Sequence, residues 1–315
     1  MVMRITLSVL RALADPTRLR IMALVRGMEL SVGELALVLG QSQPRVSRHV
    51  KILADAGLIV RHKEGAWVFV RLGETARVDP GFALLDTLDG HEAASADTAR
   101  LVAVRTERAA ASAEYFAAHA AEWDATRSLH VADEAVEAAV VRAMGGRRVG
   151  HLIDIGTGTG RMIELLGDAA TTALGIDRSP EMLRIARAKI EAAGVPGAQV
   201  RHGDMYALPV ADGVADTVIL HQVLHYAQEP ADAIAEAARV LGPGGQLLVV
   251  DFAPHAREEL RSHHAHARLG FDDSAVNGWM AAAGLQANVV AKLPGNLTVT
   301  LWLGKRAGLA RAEAA

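Results

Sequence analysis

Along the first seventy residues, apolar positions recur at helical spacing in short blocks and then switch to strict alternation. Leu10, Leu13, Leu19, Ile21, Leu24 and Val25 make two blocks separated at Asp15-Pro16. Asp15 suits an N-cap, where its carboxylate accepts an unpaired backbone N–H, and Pro16 suits the first helical position, which needs no N–H. SVGELALVL predicts a third helix ended by Gly40. SQPRVSRHVKILADAG predicts a fourth, capped by Ser42, with Pro44 in its first turn and Gly57 at its end. LIVRHKEGAWVFVRL alternates, which predicts two strands paired about Lys63-Glu64-Gly65.

Val78-Asp79-Pro80-Gly81 punctuates the chain, and the pattern beyond it is mainly helical, through FALLDTL and ADTARLVAVRTERAAASAEYFAAHAAEW. Leu101, Val104, Arg108, Ala111 and Tyr115 recur at three- and four-residue steps. This stripe predicts a long connecting helix that serves a dimer interface or, more simply, a solvated spacer. From LIDIGTGTGRMIELL onward, short apolar runs alternate with helical ones. ALGIDRSPEML, VRHGDMYALP, ADTVILHQVLHY and AARVLGPGGQLLVVDF supply further strands, the last after a helix and a Pro-Gly-Gly turn, and LTVTLWLGK supplies a terminal one. Strands alternating with helices predict a doubly wound sheet with its ligand at the carboxyl ends of the strands.

Composition adds limits. With 315 residues, half of them apolar, the chain can bury two cores. No run of about eighteen uncharged apolar residues occurs, so no membrane span is expected. The start, MVMRITLSVLRALADPTRLR, has charges inside its apolar run and no small-residue cleavage site, so no signal peptide is expected and the location is taken as cytoplasmic. The absence of cysteine excludes thiolate-held metals and cysteine nucleophiles. The net charge of −3 is unevenly spread. Residues 1–72 hold eleven Lys and Arg against five Asp and Glu, a balance of +6 that leaves −9 for the remainder. A basic head on an acidic body points to double-stranded DNA as a partner of the head.

On the fourth predicted helix, Val46, Val50 and Leu53 share one face, which turns Gln43, Arg45, Ser47, Arg48 and Lys51 outward. A helix packed on one side and basic on the other suits the major groove, where Arg can donate twice to guanine. Arg61, Lys63 and Arg71 on the hairpin suit the adjacent phosphates, and His49 lies at the edge of the packed face. The order is that of a winged helix-turn-helix. ALADPTRLRI, ELSVGELA, SQPRVSRHVKILADAGLI and EGAWVFVRL together resemble the ArsR/SmtB family of dimeric bacterial repressors. That resemblance implies a DNA-binding domain over residues 1–77, a homodimer, and an operator near-palindrome. The thiolate ligands of metal-sensing members would fall in Glu29–Gly33, where this chain has Ser31 and Gly33. Asp89-Gly90-His91 matches half of another zinc pattern and no second half follows, so no metal site is expected.

In the second half, Gly156, Gly158 and Gly160 allow a sharp turn and close approach to a ligand. A glycine turn alone also fits dinucleotide binding. Asp177, seventeen residues after Gly160, could accept ribose hydroxyls, and Asp204 with Met205 could receive an adenine ring. DIGTGTG, GID, GDMYALP, HQVLHY and RVLGPGG closely resemble class I S-adenosylmethionine-dependent methyltransferases over residues 113–305, a Rossmann-like α/β fold. EYFAAHAAEWDATR is similar to the helical cap of many small-molecule methyltransferases. This resemblance implies Asp154, Gly156 and Gly158 beside the methionine moiety, Asp177 at the ribose, Asp204 and Met205 at the adenine, and His221 and Gln222 beside the methyl group. His221, His225 and Tyr226 are the candidates for acid–base chemistry there. In EELRSHHAHARLGF, His263 and His266 share a face if helical, which suits a hydrated helix or a lid.

The expected organisation is therefore multidomain: a winged helix-turn-helix over 1–77, a helical linker over 78–112, a methyltransferase-like domain over 113–305 and a tail over 306–315. Two functions fit it. In one, the chain resembles S-adenosylhomocysteine-responsive ArsR-type regulators of methionine-cycle genes, with S-adenosylmethionine or S-adenosylhomocysteine as effector. In the other, it is an active methyltransferase for a small-molecule acceptor that also regulates its own operon.

Overall fold

The computed structural model describes residues 2–27, 30–64, 67–73, 92–120, 123, 132–145 and 149–308. It divides into two compact units, Met1–Ala111 and Ser112–Ala315. FALLDTL and Asp89-Gly90-His91 lie outside the described residues, as does most of the C-terminal tail.

The first unit contains helices α1 (Val2–Leu13), α2 (Pro16–Gly27), α3 (Val32–Leu39) and α4 (Gln43–Asp55), with strands β1 (Leu30–Ser31), β2 (Ile59–Glu64) and β3 (Trp67–Leu72). The local signals act as the chain's chemistry requires. The N–H of Arg18 donates to Asp15 at 3.1 Å, capping α2. Ser31 and Glu34 form a reciprocal capping box at the start of α3, and Gly40 closes that helix in the left-handed region at φ +64°. Ser42 occupies the N-cap position of α4 with no side-chain capping bond, so Pro44 carries the helix start. β2 and β3 pair antiparallel as the wing, and β1 adds the third strand beside β3. Val46, Val50 and Leu53 are buried with Ile21, Leu35 and Leu58 in one core.

A long helix, α5, spans Glu92–His119. In the first unit, Leu101 and Val104 pack against the winged-helix core. Buried Asp97 takes two hydrogen bonds from Arg20, both 2.6 Å, and Arg100 donates to the Val38 carbonyl at 3.0 Å. This part of the apolar stripe is thus used within the unit.

The second unit is a seven-stranded sheet. Its strands are β4 (Gly150–Ile155), β5 (Ala170–Asp177), β6 (Ala198–His202), β7 (Ala215–His221), β8 (Leu241–Phe252), β9 (Leu285–Leu293) and β10 (Val299–Arg306). Their order is β6-β5-β4-β7-β8-β10-β9. The first five lie parallel, while β10 runs antiparallel to both neighbours. Helices α6 (Asp133–Met144), α7 (Arg161–Leu166), α8 (Pro180–Ala193), α9 (Pro230–Val240), α10 (Glu259–His264) and α11 (Asp273–Ala282) join and cover it. Two apolar clusters result, one centred on Leu152, Ile163 and Leu248, the other on Val218, Ile234 and Trp302.

The structure departs from the sequence pattern in this unit. Gly242-Pro243-Gly244-Gly245 does not end in a turn before a separate strand. It lies inside β8, where the register jumps from Ala215↔Leu241 to Thr217↔Gln246, so the extra residues are absorbed as an irregularity. The sequence pattern does not predict β9. The helix after the glycine turn begins at Arg161 with Gly160 as its N-cap.

Candidate functional site

The carboxyl edge of the parallel strands gathers the residues singled out in the second half. Gly156 and Thr157 donate their N–H groups to the Ile176 carbonyl at 2.7 and 3.0 Å, folding the glycine turn back over the end of β5. Buried Asp154 accepts the Thr157 hydroxyl at 2.6 Å. Asp177 accepts the N–H of Gly158 at 2.9 Å on one oxygen and that of Ser179 at 2.8 Å on the other. The Asp177 carbonyl also takes the Gly203 N–H at 3.0 Å, which ties in the segment after β6. Burial pushes the Asp177 carboxyl up from its ordinary value, against the N–H groups of Ser179 and Gly158 that hold it down.

One cleft, with about 860 Å³ of empty space including its mouth, runs along this edge. Asp154, Gly156, Gly158, Asp177, Met205, His221, Gln222 and Tyr226 line it. Gln222 turns the chain away from β7 with φ +49° and donates its N–H to Val250 at 2.7 Å.

Other expected residues fall elsewhere. Gly160 is not among the lining residues; a Cβ there would meet Ala186 at 3.2 Å, so this glycine serves the packing of α7 on α8. Asp204 lies beyond the end of β6, exposed, in a short bridge with Ala207 and bonded to the Tyr206 N–H at 3.1 Å. It does not line the cleft. His225 is buried behind the cleft wall, its Nδ1 2.8 Å from Asp251 Oδ1, and its own N–H donates to Asp251 Oδ2 at 3.1 Å. It is therefore a structural anchor of the segment that presents Tyr226. Burial, with Tyr115 and Asp251 nearby, holds the Tyr226 phenol well above its ordinary value. That phenol stays protonated at neutral pH, so it keeps a hydrogen to donate as well as lone pairs that accept.

The histidines of the EELRSHHAHARLGF segment part ways. α10 ends at His264, and Ala265 turns left-handed at φ +54°, so His263 and His266 do not share a helix face. His266 is buried 4.1 Å from the His225 ring, His264 Nδ1 lies 2.9 Å from the Tyr115 hydroxyl, and His263 is exposed. Among the described residues, no group of three or more His, Cys, Asp or Glu is arranged to hold a metal ion.

Phe116 and Trp123 are among the lining residues that the sequence pattern did not single out. Their only signal was membership of a helical segment similar to a methyltransferase cap.

In the first unit, Gln43, Arg45, Ser47, Arg48 and Lys51 stand exposed on α4, with Arg61 and Lys63 exposed on the wing. A groove between α4 and the wing is lined by Gln43, Ser47, Arg61 and Trp67. His49 has a side chain only 13% exposed, 3.7 Å from Asp15, and belongs to the packed side.

These features define a class: a winged-helix unit and a methyltransferase-type α/β unit in one chain. Residues 15–60 match the model of the bacterial regulatory protein arsR family, and residues 153–249 match that of a methyltransferase domain. The chain is 37% identical over 34% of its length to a 37.1 kDa protein in transposon TN4556 of Streptomyces fradiae, covering 31% of that protein. It is 39% identical over 33% of its length to a demethylmenaquinone methyltransferase of Thermus thermophilus, covering 48% of it. The match thus spans only a third to a half of these relatives. A methyltransferase solved with the Haloferax volcanii Trm112 methyltransferase activator shares the fold, with a TM-score of 0.53 and 22% identity, covering 62% of this chain and 97% of that one. No described helix is long and apolar enough to cross a membrane.

Proposed function

We propose that the chain is a DNA-binding transcriptional regulator, acting as a repressor, whose methyltransferase-type unit binds S-adenosylmethionine or S-adenosylhomocysteine as effector. The observation that carries this reading is the pairing, in one chain, of an exposed basic helix with a glycine-floored cleft. The cleft fits such a ligand. Gly158 faces it without a side chain, Asp177 offers carboxylate lone pairs at its lip, and Met205 adds an apolar surface. Asp154, Gly156 and Gly158 would hold the methionine moiety, Asp177 the ribose hydroxyls, and Met205 the adenine. Bound S-adenosylmethionine would supply an electrophilic methyl group, beside His221 and Gln222.

A repressor-type head without thiolates has no soft-metal input, and the cleft offers another. The two adenosyl ligands differ by one methyl and one positive charge on sulfur, so discrimination has to act where His221 and Gln222 line the wall. We assign the active species to a homodimer that places two α4 helices about one DNA turn apart, and its targets to methionine-cycle genes.

The test is operator affinity at saturating concentrations of each ligand. S-adenosylhomocysteine is expected to lower it more than S-adenosylmethionine, by a coupling of about 1–3 kcal/mol, and operator DNA must weaken ligand binding by the same factor. Equal affinity with either ligand and with none would remove the effector reading.

A further inference from the structure

In the first unit, the groove between the start of α3, α4 and the wing holds about 830 Å³ of empty space including its mouth. Its floor belongs to the packed core: Val32 and Val50 are buried, and Val68 is partly buried against the same cluster. Trp67 forms a wall. Its ring lies 6.3 Å from buried Phe69 with the planes only 15° apart, so the wing backs it, yet the residue stays 42% exposed. Gln43 and Ser47, one helical turn apart on α4, add an amide and a hydroxyl to the lining.

Charge narrows what this groove can hold. Arg61 is the one charged group among its described lining residues, and it makes no ion pair or hydrogen bond with another described residue. Glu34, in the first turn of α3, is taken up by the capping box: its Oε2 accepts both the N–H and the hydroxyl of Ser31 at 2.8 Å, and it does not line the groove. A lone guanidinium beside an indole and over a valine floor is a poor match to a DNA strand, whose phosphates come in rows and call for several cations. It is a good match to one planar monoanion carried on a ring, which pairs with the guanidinium fork while the ring packs on Trp67 and the valines. A phosphate dianion would leave charge that a single cation does not balance.

We propose that this groove is a binding site for a small aromatic monocarboxylic acid, with Arg61 holding the carboxylate and Trp67 and the valine floor holding the ring. Gln43 and Ser47 supply hydrogen bonds to the carboxylate or to a substituent on the ring. The site stands on the geometry of the first unit alone. Its consequence rests on the DNA-binding reading: Gln43, Ser47 and Arg61 also belong to the surface assigned to DNA, so a bound acid and an operator exclude each other. The winged-helix unit then carries an input of its own, independent of the adenosyl cleft in the second unit.

The experiment uses the full chain and three probes of one shape: 2-naphthoate, 2-naphthamide and 2-naphthylmethylamine, anionic, neutral and cationic at pH 7. By calorimetry, 2-naphthoate should bind at least about tenfold more tightly than either of the others, as one charge-assisted pair supplies. Arg61→Gln should bring the acid down to the affinity of the amide, and Arg61→Lys should restore part of it. Trp67→Leu should weaken the acid by roughly five- to tenfold. Operator DNA should displace it. Equal binding of acid and amide by the parent protein overturns the proposal without recourse to any variant, and so does the absence of 2-naphthoate binding. An Arg61→Gln protein, folded by thermal melting, that binds the acid as the parent does also overturns it, since the acid would then sit elsewhere. Arg61-dependent binding that operator DNA leaves in place would uphold the site and defeat the assignment of Gln43 and Ser47 to DNA instead.

Discussion

Gly156 and Gly158 sit two residues apart in one turn, yet an added methyl should do different harm at each. Both have left-handed backbones, φ +69° and +53°. Alanine at either position therefore starts with a conformational cost of about 1–2 kcal/mol. What the new Cβ would meet differs. At Gly156 it would lie 2.2 Å from Val223 Cγ2 and 2.8 Å from Val223 Cβ, distances no real methyl tolerates. Val223 is buried at the start of the segment that carries His225 and Tyr226, so it has little room to retreat. Overpacking of this kind adds about 1–3 kcal/mol, for a total near 2–5 kcal/mol. In a unit of this size that lowers Tm by roughly 5–20 °C.

At Gly158 the nearest atom would be Trp123 Nε1 at 3.4 Å, an ordinary separation across the cleft wall. Gly158→Ala should therefore cost only about 1–2 kcal/mol of stability, or roughly 2–8 °C. Its methyl instead takes space that the ligand needs, weakening S-adenosylhomocysteine by about 1–3 kcal/mol, some five- to hundredfold in Kd. Thermal melting of the ligand-free proteins and calorimetry of both variants separate the effects. A Gly156→Ala protein that melts with the parent would refute the packing argument. A Gly158→Ala protein that binds as the parent does would refute the placement of the ligand over the turn.

Two further outcomes follow from the same geometry. Replacing Arg48 and Lys51, both exposed on α4, by Ala should weaken operator binding and flatten the slope of log K against log salt by about 0.9 for each phosphate that is no longer neutralised, while ligand affinity is unchanged; unaltered operator affinity would rule α4 out as the recognition helix. The ionised Asp177 is the form that accepts ribose hydroxyls, and burial raises its carboxyl above the ordinary value, so S-adenosylhomocysteine affinity should begin to fall at a higher pH than an ordinary carboxylate would dictate. For the empty protein the sign reverses: the fold favours the protonated carboxyl, so this group's contribution to stability is present at low pH and lost as pH rises from the unfolded value through the folded one. Affinity that stays flat over that window, or that is untouched in Asp177→Asn, would exclude the carboxylate from the site.

Legibility in the sequence followed the range of the interaction. Features set by neighbours within one or two turns could be read directly: the Asp15 cap, the Ser31–Glu34 region as a helix start, Gly40 as its end, and the packed face of Val46, Val50 and Leu53. Asp154, Gly158 and Asp177 were also legible, because a strand end followed by a glycine turn fixes where each must emerge. The surroundings of Asp204 were less legible, because β6 stops at His202 and Asp204 stands exposed beyond it. Pro243 misled for a related reason. A Pro-Gly-Gly run is a turn in most contexts, but here neighbouring β7 accepts a jump in register, so the strand pairing overrides the local signal. What could not be read were partners chosen only by the sheet: His225 with Asp251 across 26 residues, Tyr115 with His264 across 149, and Phe116 and Trp123 on the cleft wall. The two kinds of feature divide the cleft between them. The side that would hold the adenosyl ligand is written in short motifs, because any such ligand demands the same turn and carboxylate. The rings come from residues far apart in the chain, Phe116 near the end of α5 and Tyr226 in the segment anchored by buried His225, so no short motif announces them.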